Sequence, residues 1–185
     1  MPNWVFNEVT IKMDEEERKE FAKRHFVDGK FDFATIVPID IPLEEYHGTD
    51  EVKLRDGSVA YTGGQWYSWN ISHWGTKWNA CNSVLTEFLD TGWFYFDTAW
   101  SNPIWIQRAL AKMYPQYEIE WKYVEEQGWG GVSYYEDGRE VITKRREWDI
   151  PTTHDERMEI FEYCFACEDG DEEDMEEYGC PKVTA

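Results

Sequence analysis

Residues 66–80 read WYSWNISHWGTKWNA, which places four tryptophans, a tyrosine, a histidine and a lysine in one short segment. Each indole ring brings roughly 150 to 250 Å² of surface whose burial is favourable. We therefore expect other elements to pack beneath this segment, and its first half is expected to form a short helix. The rings either close the core or form an aromatic binding surface, and in the second case His73 and Lys77 are its polar groups.

The chain before this segment is predicted to begin as a strand followed by a helix. Apolar and polar residues alternate across residues 4–12, which is typical of a half-buried strand. Asp14 and Glu17 form the capping-box pair of a helix that is expected to reach about Arg24. Residues at about 25–75 are then predicted to be an insert of low regularity, since proline and glycine recur along them.

The second half of the chain alternates between predicted strands and helices. In chain order we expect strands over residues 76–90 and 93–99 joined at Asp90-Thr91-Gly92, a helix opened by Asn102-Pro103, strands over 117–125, 132–135 and 140–148, and a helix capped by Thr153 and Glu156. With the opening strand and helix, this order is the split β-α-β arrangement of the ferredoxin-like fold. The predicted fold class is therefore α+β, with a ferredoxin-like antiparallel sheet, an added hairpin, an inserted aromatic-rich loop and a C-terminal helix.

The predicted domain organisation follows from this order. Residues 1–150 are expected to form the ferredoxin-like domain, with the insert inside it. Residues 151–167 are expected to form a helix that docks on the domain, because apolar residues follow one stripe of it. Residues 168–185 are expected to be an acidic tail that is solvated and is not part of the folded body.

The chain is strongly acidic, because 38 acids against 18 bases give a net charge of −20. Eight of the acids lie in the tail, at Glu168, Asp169, Asp171, Glu172, Glu173, Asp174, Glu176 and Glu177, and the other 30 acids still leave −12. Such a field repels nucleic acid and anionic membranes and attracts basic proteins. We therefore predict a basic protein partner that contacts these eight acids together with Trp66, Trp69, His73 and Lys77, and no direct contact with nucleic acid or membrane.

The cysteines allow two interpretations. Cys164 and Cys167, with Cys180 and His154, are residue types that can ligate zinc. Free thiols are favoured because a second Cys-x-x-Cys pair is missing, so no metal and no cofactor is expected. Residues 1–4 do not begin a signal peptide, and no apolar run approaches the roughly 18 to 20 residues of a membrane span. The predicted location is the cytoplasm, with reduced thiols, or the host cytoplasm for a phage-encoded chain.

The sequence contains little that indicates catalysis. The four histidines have no neighbouring serine or cysteine in a nucleophile motif, and no HExxH pair is present. His73, Asp97 and Lys77 are the least unfavourable acid–base set, and they would suit a small hydrolase if the fold brought them together. We predict instead that the protein is not an enzyme.

Four short runs carry a resemblance to a known family. They are Met1-Pro2-Asn3-Trp4, residues 74–80 (WGTKWNA), residues 96–103 (FDTAWSNP) and Glu125-Glu126-x-Gly128. Together they resemble the YubB-type ferredoxin-like domain family of phage and plasmid proteins, over roughly residues 1–148. The resemblance implies a ferredoxin-like fold and a mobile-element origin, and it implies no reaction and no catalytic residue. The acidic tail with its cysteines departs from the family pattern.

Charge and resemblance together lead to a functional prediction. The chain is predicted to be a non-enzymatic phage or mobile-element protein that binds and inhibits a basic, nucleic-acid-handling host protein, such as a CRISPR effector or another defence nuclease, through its acidic surface and possibly as a nucleic-acid mimic. The alternatives are a general accessory protein with an aromatic binding surface and, less favoured, the small hydrolase described above. Trp74, Trp78 and Trp100 are expected to be substantially buried in either case.

Overall fold

The structure is a computed structural model, and it describes residues 3–48, 50–53, 55 and 59–165. Its elements are β1 (Trp4–Ile11), α1 (Glu15–His25), β2 (Phe26–Val27), β3 (Lys30–Phe31), a 3-10 turn (Phe33–Thr35), α2 (Leu43–His47), β4 (Asp50–Lys53), β5 (Val59–Thr62), α3 (Trp66–His73), α4 (Thr86–Thr91), β6 (Trp93–Ala99), α5 (Ile104–Met113), β7 (Ile119–Glu125), β8 (Gly130–Glu136), β9 (Arg139–Glu140), β10 (Arg146–Trp148) and α6 (His154–Phe165). Within the described residues, no helix is both long and apolar enough to cross a membrane.

In the main sheet, β1 lies between β7 and the edge strand β6. Its strands follow the order β10-β8-β7-β1-β6, with β9 attached to β8, and all neighbours are antiparallel. Because β6 and β7 are each antiparallel to β1, they run parallel to one another on either side of it, and α5 connects them. This is a split β-α-β unit. The predicted α+β, ferredoxin-like fold class is confirmed.

The core is built largely from phenylalanine. Val5, Val9 and Ile11 are at most 1% exposed, on the face of β1 that the alternation predicted. Seven phenylalanine rings contact one another in the same core: Phe21, Phe26, Phe31, Phe33, Phe88, Phe94 and Phe96. Phe26, Phe31 and Phe33 come from the predicted insert. Part of that insert is therefore core structure that begins with a tight β2–β3 hairpin, which the sequence analysis did not foresee.

One polar side chain joins β1 to both of its neighbouring strands inside this core. Asn7 of β1 is fully buried. Its Nδ2 donates to Thr98 Oγ1 of β6 at 3.0 Å, and its Oδ1 accepts from Trp121 Nε1 of β7 at 3.1 Å. Both ends of the amide are therefore satisfied, as a buried polar group requires.

The prediction of a strand over residues 76–90 is wrong. The only strand-like pairing there is a single bridge between Cys81 and Asp97, and residues 86–91 form α4. Gly92 follows the helix with φ 79°, the left-handed conformation common after a helix C-terminus. Leu85, Phe88 and Leu89 have helical spacing, and this signal was outweighed by the β-prone composition of the run.

Other boundaries are partly confirmed. The capping boxes of α1, at Asp14 and Glu17, and of α6, at Thr153 and Glu156, are both present. The short helix expected in the first half of residues 66–80 is α3. The strand predicted over residues 140–148 is divided into β9 and β10. α6 approaches β7, and residues 166–185, which include the predicted acidic tail, lie outside the described residues.

We expect His25 to make the folded protein less stable at mildly acidic pH. Its ring is fully buried, with Nδ1 2.7 Å from Thr35 Oγ1 and Nε2 2.7 Å from Tyr114 Oη. Burial, helped by Arg24, lowers the pKa of His25 to about 4. The unfolded chain, with an ordinary histidine pKa of about 6.5, then takes up a proton first as the pH falls, which costs about 3 kcal/mol of stability by pH 4.

Thermal unfolding between pH 7 and pH 4 tests this expectation. The His25→Gln variant keeps a polar side chain that does not titrate, so its melting temperature should fall less steeply with pH than that of the parent. Parallel curves for the two proteins would contradict the assignment, since every other titrating group is common to both.

Candidate binding surface at one end of the sheet

Six tryptophans lie at the same end of the sheet, and strand register places four of them there. Trp4 pairs with Ala99, and Val5 pairs with Glu125, so the start of β1 lies beside the ends of β6 and β7. The start of β8 pairs with the end of β7, and the end of β10 pairs with the start of β8. We call this region the tryptophan end. It comprises residues 3–4, 74–78, 99–103, 125–130 and 148, and its tryptophans are Trp4, Trp78, Trp100, Trp129 and Trp148 together with the buried Trp74.

Two loops of the tryptophan end are held together by hydrogen bonds. Thr76 Oγ1 donates to the Ala99 carbonyl at 2.8 Å, and Ser101 Oγ donates to the Gly75 carbonyl at 2.6 Å. Thr76 is fully buried. The WGTKW and AWSNP runs, which are about 25 residues apart in sequence, are therefore one structural unit.

A buried carboxylate connects the chain start to this unit. Glu125 is 2% exposed, and its two oxygens accept from Asn3 Nδ2 at 2.6 Å and from the Gln127 N–H at 2.7 Å. The Asn3 carbonyl in turn accepts from the Trp100 N–H at 2.9 Å. The backbone on both sides of Trp4 is thus fixed, since the Trp4 carbonyl also accepts a backbone N–H at 3.1 Å.

Lys77 lies between two indole rings. Its Nζ is 4.1 Å from the ring centroid of Trp100 and 4.7 Å from that of Trp78. Both distances are within the range of a cation–π interaction. Among the described residues, no carboxylate is within ion-pair distance of this ammonium group. In a chain with twice as many acids as bases, the rings rather than an acid compensate the charge of Lys77.

The rings around Lys77 form a partly exposed band. Trp100 and Tyr67 are 43% and 45% exposed and meet edge to face at 5.9 Å. Trp78, which is half-buried, meets Trp4 at 5.9 Å on the other side. We call Tyr67, Trp100, Lys77, Trp78 and Trp4 the aromatic band. The predicted burial holds for Trp74, at 2%, is wrong for Trp100 and is only partly met by Trp78.

Trp100 is held in an unusual backbone conformation. Its φ is 75°, in the left-handed region that a bulky L-residue rarely adopts. Such a residue costs about 1 to 3 kcal/mol and persists only where its surroundings fix it, often at binding sites. The hydrogen bond to Asn3 and the neighbouring bond of Ser101 provide that restraint.

The structure distributes the other predicted contact residues between surface and core. Trp66 is half-buried and meets Tyr67 edge to face at 5.8 Å, at the margin of the band. Trp69 is 5% exposed and its Nε1 donates to Asp40 at 2.8 Å, so it is a core residue rather than part of an exposed contact surface. The His73 ring stacks on Trp69 at 4.3 Å, and its Nδ1 lies 2.9 Å from the Trp69 carbonyl.

The predicted acid–base set is not assembled. Asp97 is buried and accepts from Tyr95 Oη and from Asn82 Nδ2. Burial is the main cause that raises the pKa of Asp97. Within the described residues, no hydrogen bond or ion pair connects Asp97 with His73 or Lys77, because the lysine faces indoles and the imidazole is stacked.

Most residues of the alternative zinc site, and the acidic tail, lie outside the described residues. Cys167, Cys180 and the eight acids of residues 168–177 lie outside the described residues, as does the Cys164 side chain, while His154 opens α6. In the part of the chain that the structure describes, no three metal-ligating side chains converge.

Sequence reasoning missed the tryptophans that stand at strand termini. Trp4 begins β1, Trp100 follows β6, Trp129 precedes β8 and Trp148 ends β10. A signal was present in the sequence, because each of these tryptophans lies at or near a predicted strand boundary. Only the strand order, which the sequence alone did not fix, shows that these boundaries meet.

We expect Trp100→Gly to be more stable than Trp100→Ala by about 1 kcal/mol. Glycine adopts positive φ without steric cost, whereas alanine retains the Cβ that causes the strain. Denaturant unfolding of the two variants measures the difference. At Trp93, which begins β6 and has no positive φ, the order should reverse because glycine weakens a strand. A glycine variant at Trp100 that is less stable than the alanine variant would show that the backbone is unstrained.

Comparison with known proteins identifies a family. The family described as the ferredoxin-like domain in Api92-like protein matches residues 73–165, which is half of the chain. This stretch contains most of the tryptophan end, from Trp74 to Trp148. No curated protein and no solved structure matches the chain. The chain belongs to the family of ferredoxin-like domains found in Api92-like proteins.

Proposed function

We propose that this protein is a non-enzymatic binding protein of a phage or other mobile element, and that it inhibits a basic, nucleic-acid-handling host protein by contact at the tryptophan end. A CRISPR effector or another defence nuclease is the class of partner that fits. The observation that carries the proposal is the aromatic band, which is partly exposed on a strongly acidic molecule. The eight acids of residues 168–177 are proposed to assist the encounter.

The composition of the aromatic band is that of a protein contact surface. Tryptophan and tyrosine are enriched among the residues that contribute most to protein–protein affinity. Their side chains have few rotatable bonds, so little entropy is lost when they are covered. The hydrogen bonds of Thr76, Ser101 and Asn3 fix the surrounding loops before binding, which lowers the cost of association further.

The distribution of charge favours a basic protein over nucleic acid. Many basic side chains of the described residues are already paired with carboxylates: Lys12 with Glu118, Lys19 with Glu15, Arg108 with Glu140, Lys122 with Glu8, Lys144 with Glu136 and Arg145 with Glu147. Nucleic-acid binding depends on free cations that contact phosphates. A net charge of −20 instead attracts basic surfaces and accelerates their association.

The mobile-element part of the proposal rests on resemblance. The runs at the chain start, at 74–80, at 96–103 and at 125–128 resemble phage and plasmid proteins of the YubB type. All four lie wholly or partly at the tryptophan end. The resemblance thus coincides with the aromatic band, and this supports placing the function there.

Capture of the partner tests the proposal. The tagged full chain is used to capture proteins from a host lysate at low salt, and captured proteins are identified by mass spectrometry. We expect a basic, nucleic-acid-handling protein that Trp100→Ala no longer captures. Trp93→Ala, which removes an indole at the start of β6, away from the tryptophan end, should still capture it. Melting curves confirm that both variants are folded.

Salt provides the second readout of the same experiment. Exposed charges are screened beyond about 8 Å at physiological ionic strength, so capture should weaken as salt is raised. Capture that is equally strong at high salt would contradict the electrostatic part of the proposal. Capture that Trp93→Ala abolishes and Trp100→Ala leaves intact would contradict the placement at the tryptophan end.

A further inference from the structure

A groove of about 410 Å³ opens beside β7, β8 and β10 at the tryptophan end. Its lining residues are Tyr123, Trp129, Gly130, Glu147, Trp148 and Asp149. None of them belongs to the aromatic band. The groove is therefore a separate feature, with three aromatic and two carboxylate side chains and no lysine or arginine in its lining.

Two glycines in β8 make room for the groove. A Cβ on Gly130 would lie 2.2 Å from the Tyr123 carbonyl oxygen and 3.1 Å from the Trp148 ring. A Cβ on Gly131 would lie 2.7 Å from Tyr123 Oη. Glycine weakens the interior of a strand and often marks a close approach of other groups. Because consecutive residues of a strand face opposite sides, the absent side chains let the Trp148 ring lie against one face of β8 and the Tyr123 ring against the other.

The aromatic side chains of the groove are held in place. Trp148 Nε1 donates to the Gly128 carbonyl at 3.0 Å, and Trp129 meets Tyr123 edge to face at 6.4 Å. Tyr123 is 8% exposed. Its pKa is raised to about 12, first by burial and then by Glu147, so its hydroxyl stays protonated at neutral pH and remains a hydrogen-bond donor.

The carboxylates give the groove a negative character that is only partly compensated. The Arg145 guanidinium pairs with Glu147. Asp149 is exposed, and among the described residues no cationic group is within ion-pair distance of it. A carboxylate beside aromatic rings favours a cation, because the ring faces and the acid both attract positive charge.

We propose that this groove binds the guanidinium group of an arginine side chain that the partner supplies. Arginine suits it better than lysine, since a planar guanidinium stacks on an aromatic ring and also hydrogen-bonds a carboxylate in two places. In this arrangement the guanidinium packs against Trp129, whose ring lies beside Tyr123 on one face of the sheet, and pairs with Asp149. The identity of the partner rests on the proposed function, whereas the groove itself can be tested without any partner.

Titration with a single arginine derivative tests the groove. The purified full chain is titrated with Nα-acetyl-L-arginine amide at constant ionic strength, and the indole N–H signals are followed in a ¹H–¹⁵N spectrum. We expect a saturable shift of the Trp129 signal, which Trp129→Phe assigns, and a smaller shift of the Trp148 signal, which Trp148→Phe assigns. The citrulline derivative, which has the same shape without the charge, should bind about tenfold more weakly.

Variants of exposed acids provide the matched control. Asp149→Asn should weaken binding of the arginine derivative several-fold, whereas Asp137→Asn, an exposed acid in the turn after β8, should leave it unchanged. Equal binding of the citrulline derivative, no effect of Asp149→Asn, or shifts confined to Trp78 and Trp100 would overturn the groove assignment. If no binding is seen while a basic partner is still captured, the groove is overturned and the proposed function stands. Arginine binding without capture of any basic partner supports the groove and overturns the proposed function.

Discussion

The placement of β1 between β6 and β7, antiparallel to both, determines what the rest of the molecule can present. It puts the start of β1 beside the ends of its two neighbours, so that loops distant in sequence meet at one end of the sheet. The buried Asn7 amide bonds to Thr98 on one side and to Trp121 on the other, and it can do so in only one register. A shift of one residue would also turn Val5 and Val9 out of the core.

At this end of the sheet, loops that are restrained by hydrogen bonds carry an exposed aromatic ring. The Thr76 and Ser101 hydroxyls donate to backbone carbonyls, and the Asn3 carbonyl accepts from the Trp100 N–H, so the loops are restrained. Trp100 nevertheless remains 43% exposed in a left-handed conformation. Folding alone would favour burial of such a ring and a glycine at such a φ. The combination is explained if exposure of the ring contributes to binding. The Lys77 ammonium group lies within cation–π distance of both the Trp78 and the Trp100 rings.

Local patterns in the sequence predicted local structure well. The Asp14–Glu17 capping box and the alternation of β1 are governed by neighbouring residues, and so they could be recognised from the sequence. The prediction for residues 76–90 was wrong because their β-prone composition conflicted with the helical spacing of Leu85, Phe88 and Leu89. The aromatic band could be predicted only in part. Lys77 was identified from its surroundings in sequence, whereas Trp4 and Trp100 join it through strand pairing, which depends on the whole chain.

The central claim is that the tryptophan end, rather than the remainder of the acidic surface, is where a partner is bound. Hydrogen–deuterium exchange of the intact protein, measured alone and in complex with the captured partner, tests it most directly. Slower exchange is expected over residues 74–78, 99–103 and 125–130 on binding, with no change over α1. Protection confined to α1 or to the β4–β5 hairpin, with the tryptophan end unchanged, would contradict the claim.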